Sequence, residues 1–303
     1  MRVPALGLLA FVAATPLPAQ SRPGIADPTS VPFTTNTDGM LIVPAILGTT
    51  IPLHVILDTG AGLDIVAPSL IRKVNGKAAG AFTGIRMTGD RVDVPLFVVP
   101  ELAIGPIVRR NVVVGGWDTL DSLHIDGIIS VNGLRHHPFT IDFADKVLTF
   151  ETPQSLAQRR AAGHSTPLQL SDERGRALDL FAAFLIGNQP GECELDTGSQ
   201  GTTVSTRYMA PLGVDTSSND VVRRVRRTIT GATEIRYVAG VTQVSLVTGP
   251  DVGIANPRVT FSDIIYDCVI GTVFWSGRAL TLDIPNRQMT VSPPRAAGSP
   301  PSH

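Results

Sequence analysis

The sequence carries almost no net charge. Lys and Arg number 25, against 26 for Asp and Glu. Proteins that bind nucleic acid or an anionic membrane through electrostatic attraction present a strongly basic surface. The charge balance therefore implies neither partner.

Long apolar runs and sets of metal ligands are also missing. The apolar stretch near the N-terminus falls short of the roughly 20 residues that span a bilayer, and no other segment reaches that length. His136 and His137 have no third ligand at a suitable spacing for zinc. We expect no membrane span, no metal and no cofactor.

The first 20 residues, MRVPALGLLAFVAATPLPAQ, have the pattern of a secretion signal. Arg2 precedes an apolar stretch that ends in small residues and prolines, which suit a signal peptidase. We predict that residues 1–19 are a signal peptide and that the protein is secreted or periplasmic. No cysteine lies near the cleavage region, so a lipid anchor is not supported.

Turn-forming residues are abundant. The chain contains 29 glycines and 24 prolines, and Val, Ile and Thr crowd into short runs between them. This composition indicates many short strands and an all-β fold. A length of 303 residues with 43% hydrophobic content favours two lobes.

The sequence is internally repeated. HVILDTGAGLDIV (54–66) is matched by CELDTGSQGTTV (193–204), so the two Asp-Thr-Gly motifs are 138 residues apart. FTIDFADKVLTF (139–150) is matched by LTLDIPNRQMTV (280–291) at a spacing of 141. Landmarks in the same order in both halves indicate a duplicated fold.

The repeat divides the chain into segments. A single chain then supplies both lobes, which predicts a monomer. The tail has the Pro, Ser and Gly content of a disordered end. The predicted segments are a signal peptide (1–19), a leader (20–36), an N-terminal lobe (37–152), a linker (153–165), a C-terminal lobe (166–292) and a disordered tail (293–303).

A single Asp-Thr-Gly motif is as typical of a turn cap as of a catalytic site, because the carboxylate can accept from backbone amides two residues on. Two copies, each after an apolar strand, favour chemistry. A duplicated fold with a two-fold relation can bring its two equivalent acids face to face.

The motifs together resemble those of the retropepsin-like and pepsin-like aspartic proteases, specifically a bacterial two-repeat form with two such motifs in one chain. The similar features are the apolar run, the Asp-Thr-Gly-Ala/Ser motif, a Gly-containing hairpin and an apolar-apolar-Gly run before a final strand. The resemblance covers about residues 37–292. It implies a bilobal acid-protease fold of two duplicated, β-barrel-like lobes with the active site between them.

The resemblance implies that Asp58 and Asp196 form a catalytic dyad. Two adjacent carboxylates share one proton, and the ionised member activates a water that attacks a peptide carbonyl. The supporting residues implied are Thr59 and Thr197, which brace the two loops, Gly60 and Gly198, which let backbone amides approach, and Ala61 and Ser199, which follow them.

The two copies differ at Ala61 and Ser199. A serine hydroxyl can donate to the neighbouring carboxylate and stabilise its charge, whereas alanine cannot. We therefore expect Asp196 to ionise first and Asp58 to hold the shared proton.

RMTGDRVDV (86–94) resembles TITGATEIR (228–236), and a hairpin folding over the dyad would hold an extended peptide and exclude water. Two ordinary surface hairpins are an equal alternative. The flap candidates are Thr88, Gly89 and Asp90 in the first half and Thr230, Gly231 and Ala232 in the second.

Cys193 and Cys268 each stand three residues before a motif residue, on strands that lie side by side in the family. An exported protein meets an oxidising compartment, which favours a disulfide between them over two free thiols.

These observations predict an aspartic endopeptidase acting on peptide or protein substrates. The alternative is a noncatalytic peptide-binding relative. Ser130 keeps it open, since the second half has Gly271 there. Serine fits if its backbone keeps a negative φ.

Overall fold

The computed structural model describes residues 27–227 and 233–295. The predicted signal peptide, residues 20–26 of the leader and residues 296–303 of the tail lie outside these ranges. So do the second set of flap candidates, Thr230, Gly231 and Ala232. Within the described ranges, no helix has both the length and the apolar character that crossing a bilayer requires.

The first half consists of short strands with three short helices between them. Its strands are β1 (Thr29–Pro32), β2 (Thr34–Thr35), β3 (Leu41–Leu47), β4 (Ile51–Asp58), β5 (Ile65–Val66), β6 (Lys77–Ile85), β7 (Arg91–Ile104), β8 (Ile107–Gly116), β9 (Gly127–Ser130), β10 (Phe139–Asp142) and β11 (Val147–Phe150). Its helices are α1 (Pro68–Lys73), α2 (Asp118–Leu123) and α3 (Val131–Leu134).

Helix α4 (Pro153–Ala162) connects the halves, and its N-terminus is capped by Thr152 and Ser155, whose side chains each accept from the other's backbone N–H. The strands that follow are β12 (His164–Pro167), β13 (Gln169–Asp172), β14 (Leu178–Ile186), β15 (Gln189–Leu195), β16 (Thr203–Ser205), β17 (Val222–Arg227), β18 (Thr233–Gly240), β19 (Gln243–Leu246), β20 (Gly253–Ala255), β21 (Arg258–Ser262), β22 (Cys268–Ile270), β23 (Ala279–Asp283) and β24 (Gln288–Val291). Three 3-10 turns lie at Thr206–Tyr208, Thr272–Trp275 and Ile284–Asn286.

The strands form one sheet in each half and a third sheet shared by both. The first half has an 8-stranded sheet in the order β2-β3-β4-β9-β5-β8-β7-β6, and the second has a 10-stranded sheet that contains β13 to β22. The 6-stranded sheet, ordered β1-β11-β10-β23-β24-β12, takes strands from both halves. The architecture is therefore all-β, with two lobes on a common sheet.

The shared sheet lies on a local two-fold axis. β10 and β23 run antiparallel with Thr140 opposite Thr281, and their Oγ1 atoms are 2.8 Å apart. These two threonines occupy equivalent positions in the repeat. A residue that faces its own copy marks the axis that relates the halves, so the duplication in the sequence is also a symmetry of the fold.

The strands that lead to the two acid motifs each have a run of three buried residues directly before the acid. β4 pairs in parallel with β9, and β15 pairs in parallel with β22. Leu57 and Leu195, the last residues before the two acids, are both fully buried. A strand that is buried on both faces needs consecutive apolar residues. Both acid motifs therefore follow apolar residues.

A disulfide joins Cys193 to Cys268. The two residues face each other across the β15–β22 pair with a Cα separation of 4.4 Å, and both are fully buried. Cys193 lies three residues before Asp196, and the disulfide closes a loop of 75 residues. It therefore fixes the strand that positions the second acid.

Replacing Cys193 and Cys268 together by alanine should lower the free energy of unfolding by about 4 kcal/mol, because the unfolded chain regains the entropy of an open loop. The measurement is urea denaturation of the oxidised wild type, the reduced wild type and the double variant. Reduction should shift the wild-type midpoint and leave that of the variant unchanged. Identical midpoints for oxidised and reduced wild type would contradict the disulfide.

Candidate active site

The two Asp-Thr-Gly loops meet between the lobes. Asp58 is the last residue of β4, and Asp196 directly follows β15. Their side chains are hydrogen-bonded to each other, and both remain partly accessible to solvent. The fold thus places Asp58 and Asp196 side by side, although 138 residues separate them in the sequence, as they separate Thr59 from Thr197.

Thr59 and Thr197 lock the two loops together by reciprocal hydrogen bonds. The N–H of Thr59 donates to Oγ1 of Thr197 at 3.0 Å, and the N–H of Thr197 donates to Oγ1 of Thr59 at 2.9 Å. Each hydroxyl donates in turn to a carbonyl of the opposite half, Leu195 at 2.6 Å and Leu57 at 2.7 Å. Four buried hydrogen bonds therefore set the position of both acids.

Gly60 and Gly198 are required by the approach of the opposite acid. A Cβ atom on Gly60 would lie 2.6 Å from Cγ of Asp196, and one on Gly198 would overlap the carboxylate of Asp58. Their backbone N–H groups also donate to the acid of their own loop, at 2.9 Å to Asp58 and 2.8 Å to Asp196. A side chain at either position would force the two acids apart.

Burial raises the pKa of both acids, but not equally. Burial, the charge of Asp58 and the hydrogen bond with it hold the pKa of Asp196 well above its usual range. The pKa of Asp58 is also raised by burial, but the hydrogen bond with Asp196 and backbone N–H groups oppose the rise. The two carboxyls therefore share one proton, and its titration belongs to the pair.

The side-chain contact that the expected difference between Ala61 and Ser199 depends on is not formed. The hydroxyl of Ser199 donates to the carbonyl of Gly201 at 3.5 Å and not to Asp196. Ala61 and Ser199 both support their acids through backbone N–H groups, so the expected difference between them disappears. Asp58 additionally receives a backbone hydrogen bond from Gly198, across the interface.

Ser130 fits its position for a local reason. Its φ is −90°, so serine is unstrained there, and its N–H and hydroxyl donate to Asp64 at 2.8 and 3.0 Å. In the second half, a Cβ on Gly271 would lie 2.6 Å from the carbonyl oxygen of Ser199. Only the second half is therefore crowded enough to require glycine.

The first set of flap candidates lies at the tip of the β6–β7 hairpin. Gly89 has a φ of +82°, and Thr88 donates to Asp90 at 2.8 Å. The carbonyl of Met87 accepts from the N–H of Ile265 at 2.8 Å, which ties this tip to the second lobe. The hairpin thus reaches across from one lobe to the other.

Two further acids near the dyad were not identified from the sequence. Glu194 is two residues before Asp196 and is 4% exposed, and Asp179 lies on the neighbouring strand β14. Burial raises the pKa of Glu194 well above its usual range, and the charges of Asp196, Asp179 and Asp58 raise it further. The available signal was an acid inside the otherwise apolar end of β15.

No protein-family profile and no curated protein matches the sequence. Solved structures match the fold. Conglutin gamma, a basic 7S globulin from lupine seeds, has a TM-score of 0.51 at 9% identity, covering 88% of this chain and 95% of its own. Basic 7S globulin from soybean has a TM-score of 0.53 at 11% identity, with coverages of 88% and 95%.

A third structure, that of edgp, has a TM-score of 0.52 at 9% identity and covers 88% of this chain and 94% of its own. Likenesses at such identities show the fold alone. The chain has the bilobal, all-β, pepsin-like fold. The comparisons support the pepsin-like part of the predicted resemblance and give no support to a retropepsin-like bacterial family.

Gly60→Ala should destabilise the protein by about 1 to 3 kcal/mol, as forced overpacking does, because the new Cβ meets Asp196. Gly201→Ala is the matched control, since a Cβ there meets no atom within 4 Å. Urea denaturation of both variants checks this. Equal midpoints for Gly60→Ala and Gly201→Ala would show that the two loops are not in close contact.

Asp196→Asn should raise the melting temperature at pH 7 by several degrees and leave it unchanged at pH 3. An acid whose pKa is raised on folding costs stability as the pH rises above its unfolded value, 3.8 for aspartate. Asparagine removes this cost. Thermal denaturation at both pH values tests this, and Asp251→Asn, at an exposed position, is the control. A variant less stable than wild type at pH 7 would contradict the raised pKa.

Proposed function

We propose that the protein is an aspartic endopeptidase of a secreted or periplasmic kind, in which Asp58 and Asp196 activate water to hydrolyse a peptide bond. The observation that carries the proposal is the reciprocal bracing of the two loops by Thr59 and Thr197, which holds the carboxylates in mutual hydrogen bond. A motif that only capped a surface turn would need neither the contact between two carboxyls nor the two-fold relation between the halves.

In this mechanism Asp58 acts as the general base and Asp196 as the general acid. Ionised Asp58 takes a proton from a water between the two carboxyls, and the oxygen of that water attacks the peptide carbonyl. Protonated Asp196 donates a hydrogen bond to the carbonyl oxygen as negative charge develops on it. The protein needs no nucleophilic side chain of its own.

The flap hairpin around Gly89 supports this proposal. It extends from the first lobe to Ile265 in the second, so an extended peptide lying on the dyad would pass beneath it. Strand-like hydrogen bonds from a hairpin give affinity to any extended peptide, and its cover excludes water from the reaction. Since one chain supplies both acids and the flap, the proposed catalytic unit is a monomer of the two predicted lobes.

A noncatalytic peptide-binding protein is the second candidate, and the comparisons favour it. Two of the three similar solved structures are named as basic 7S globulins, and none of the three is named as a peptidase. The retained dyad favours the enzyme, because a binding protein has no need for two acids that must share a proton.

The decisive experiment is digestion of a denatured protein between pH 3 and pH 7. Wild type should produce fragments, and Asp58→Asn or Asp196→Asn should reduce the rate by about a factor of 10² to 10⁴, the usual contribution of a general acid or base. Asp251→Asn serves as the control for handling and purity. Binding of peptides without any cleavage by wild type would establish the noncatalytic candidate instead.

A further inference from the structure

Glu194 differs from every other buried acid in the described parts of the chain. The five others are each paired with an arginine: Asp64 with Arg109, Asp142 with Arg295, Glu151 with Arg159, Glu234 with Arg236 and Asp283 with Arg160. The carboxylate of Glu194, a residue at 4% exposure, has neither an ion pair nor a hydrogen bond with any described residue. This fold pairs its buried carboxylates, so a missing partner requires an explanation.

Strand geometry places Glu194 on the face of the dyad. Side chains two residues apart project to the same side of an extended chain, so Glu194 in β15 lies on the same side as Asp196, which directly follows that strand. Phe181 lies directly opposite Glu194 on β14 and projects to that face as well. The ring of Phe181 packs edge-on against Tyr266 at 5.1 Å. Glu194 therefore shares its face of the sheet with one ring of an aromatic pair and with the dyad.

Asp179 is a second acid close to Glu194 and the dyad. It follows the segment Ala177–Leu178, where the N–H of Leu178 donates to the carbonyl of Gly62 in the loop of the first acid at 2.9 Å. The carboxylate of Asp179 also makes no ion pair or hydrogen bond with a described residue. Burial, and then the charge of Glu173, raise the pKa of Asp179 to about 6. Every charged group that shifts the pKa of Glu194 is likewise an acid.

Space for a long side chain lies next to this face. A cavity of about 450 Å³ is lined by Phe181, Ile265 and Tyr266 and also by Glu192, Asp267 and Arg207, while Glu194 and Asp179 lie outside its lining. Ile265 is the residue that holds the flap tip, so the cavity opens beside the proposed path of the peptide. Lysine and arginine cover apolar surface with their methylene stems while the charged end seeks a polar partner, which suits aromatic walls that lead to carboxylates.

We propose that Glu194 and Asp179 form a subsite that binds the lysine or arginine side chain of a peptide lying over Asp58 and Asp196. The substrate would thus supply the cation that an arginine supplies to each of the other buried acids. The position of the subsite rests on the proposed function. Its preference for a cation rests on the unpaired carboxylates, and would serve a binding protein as well as an enzyme.

The other occupants fit less well. A metal ion would need at least three converging ligands, and in the described ranges no group of three or more His, Cys, Asp or Glu residues is arranged to hold one. A purely structural, protonated Glu194 would need an acceptor for its proton, and the residues described offer it none by hydrogen bond. The carboxylate oxygens of Glu194 are not among the fully buried polar atoms that lack a partner, so they keep contact with solvent and a ligand can reach them.

The test measures binding in an Asp58→Asn background, where turnover cannot interfere. Two fluorescent peptides that differ only in lysine or norleucine are titrated at pH 7.5 into this protein, and into versions that also carry Glu194→Gln or Asp179→Asn. Glu101→Gln, on an acid of the first lobe paired with Arg110, is the matched control. Melting temperatures establish that each variant is folded.

The lysine peptide should bind at least about 10-fold more tightly than the norleucine peptide, in line with a hydrogen-bonded charge. This ratio should fall to near 1 with Glu194→Gln, fall partly with Asp179→Asn and persist with Glu101→Gln. A ratio that Glu194→Gln leaves unchanged, or a ratio near 1 in the starting protein, would overturn the subsite.

A peptide-library digest separates this inference from the proposed function. Cleavage without enrichment of lysine or arginine around the cut would refute the subsite and leave the peptidase standing. A lysine preference in binding, with no cleavage of any library member by wild type, would refute the peptidase and leave the subsite standing.

Discussion

The hydrogen bonds between Thr59 and Thr197 are the constraint on which the rest of the site depends. They are buried and reciprocal, and they lie on the same two-fold relation that sets Thr140 opposite Thr281 in the shared sheet. Because the axis passes through both contacts, the position of one lobe fixes that of the other at the point where the acids meet. The two carboxyls are thereby held in a contact that their charges alone would oppose.

This constraint explains several features that look unrelated in the sequence. Gly60 and Gly198 are needed because each faces the acid of the opposite loop. The shared proton follows from the same closeness, since two ionised carboxylates cannot stay in contact at low cost. The disulfide of Cys193 and the doubly covered strands stiffen the support behind Asp196. The stability of the surrounding sheets thus offsets the electrostatic cost of the site.

Much of the fold and of the candidate site was predictable from local sequence. The features that were not predicted depend on tertiary structure. Strand content, the duplication and the pairing of the motifs follow from apolar runs, turn residues and repeats at a fixed spacing. The shared sheet was not predicted, because pairing between β10 and β23 depends on how the lobes pack. The expected hydrogen bond from the Ser199 hydroxyl to Asp196 is not formed, because the direction of that hydroxyl is a matter of tertiary geometry. Glu194 was missed since a lone acid in a strand does not indicate whether an arginine will lie beside it.

The central claim is that Asp58 and Asp196 share one proton. Carbon-13 NMR of protein labelled at the aspartate carboxyls, recorded against pH, tests this directly. The account predicts that one dyad aspartate, assigned by the loss of its resonance on mutation, stays protonated well above the range where ordinary aspartates titrate. In Asp58→Asn, where the neighbouring charge is gone, Asp196 should titrate closer to that range. If both dyad aspartates titrated within the ordinary range in wild type, the two carboxyls would not be in contact and the account would fail.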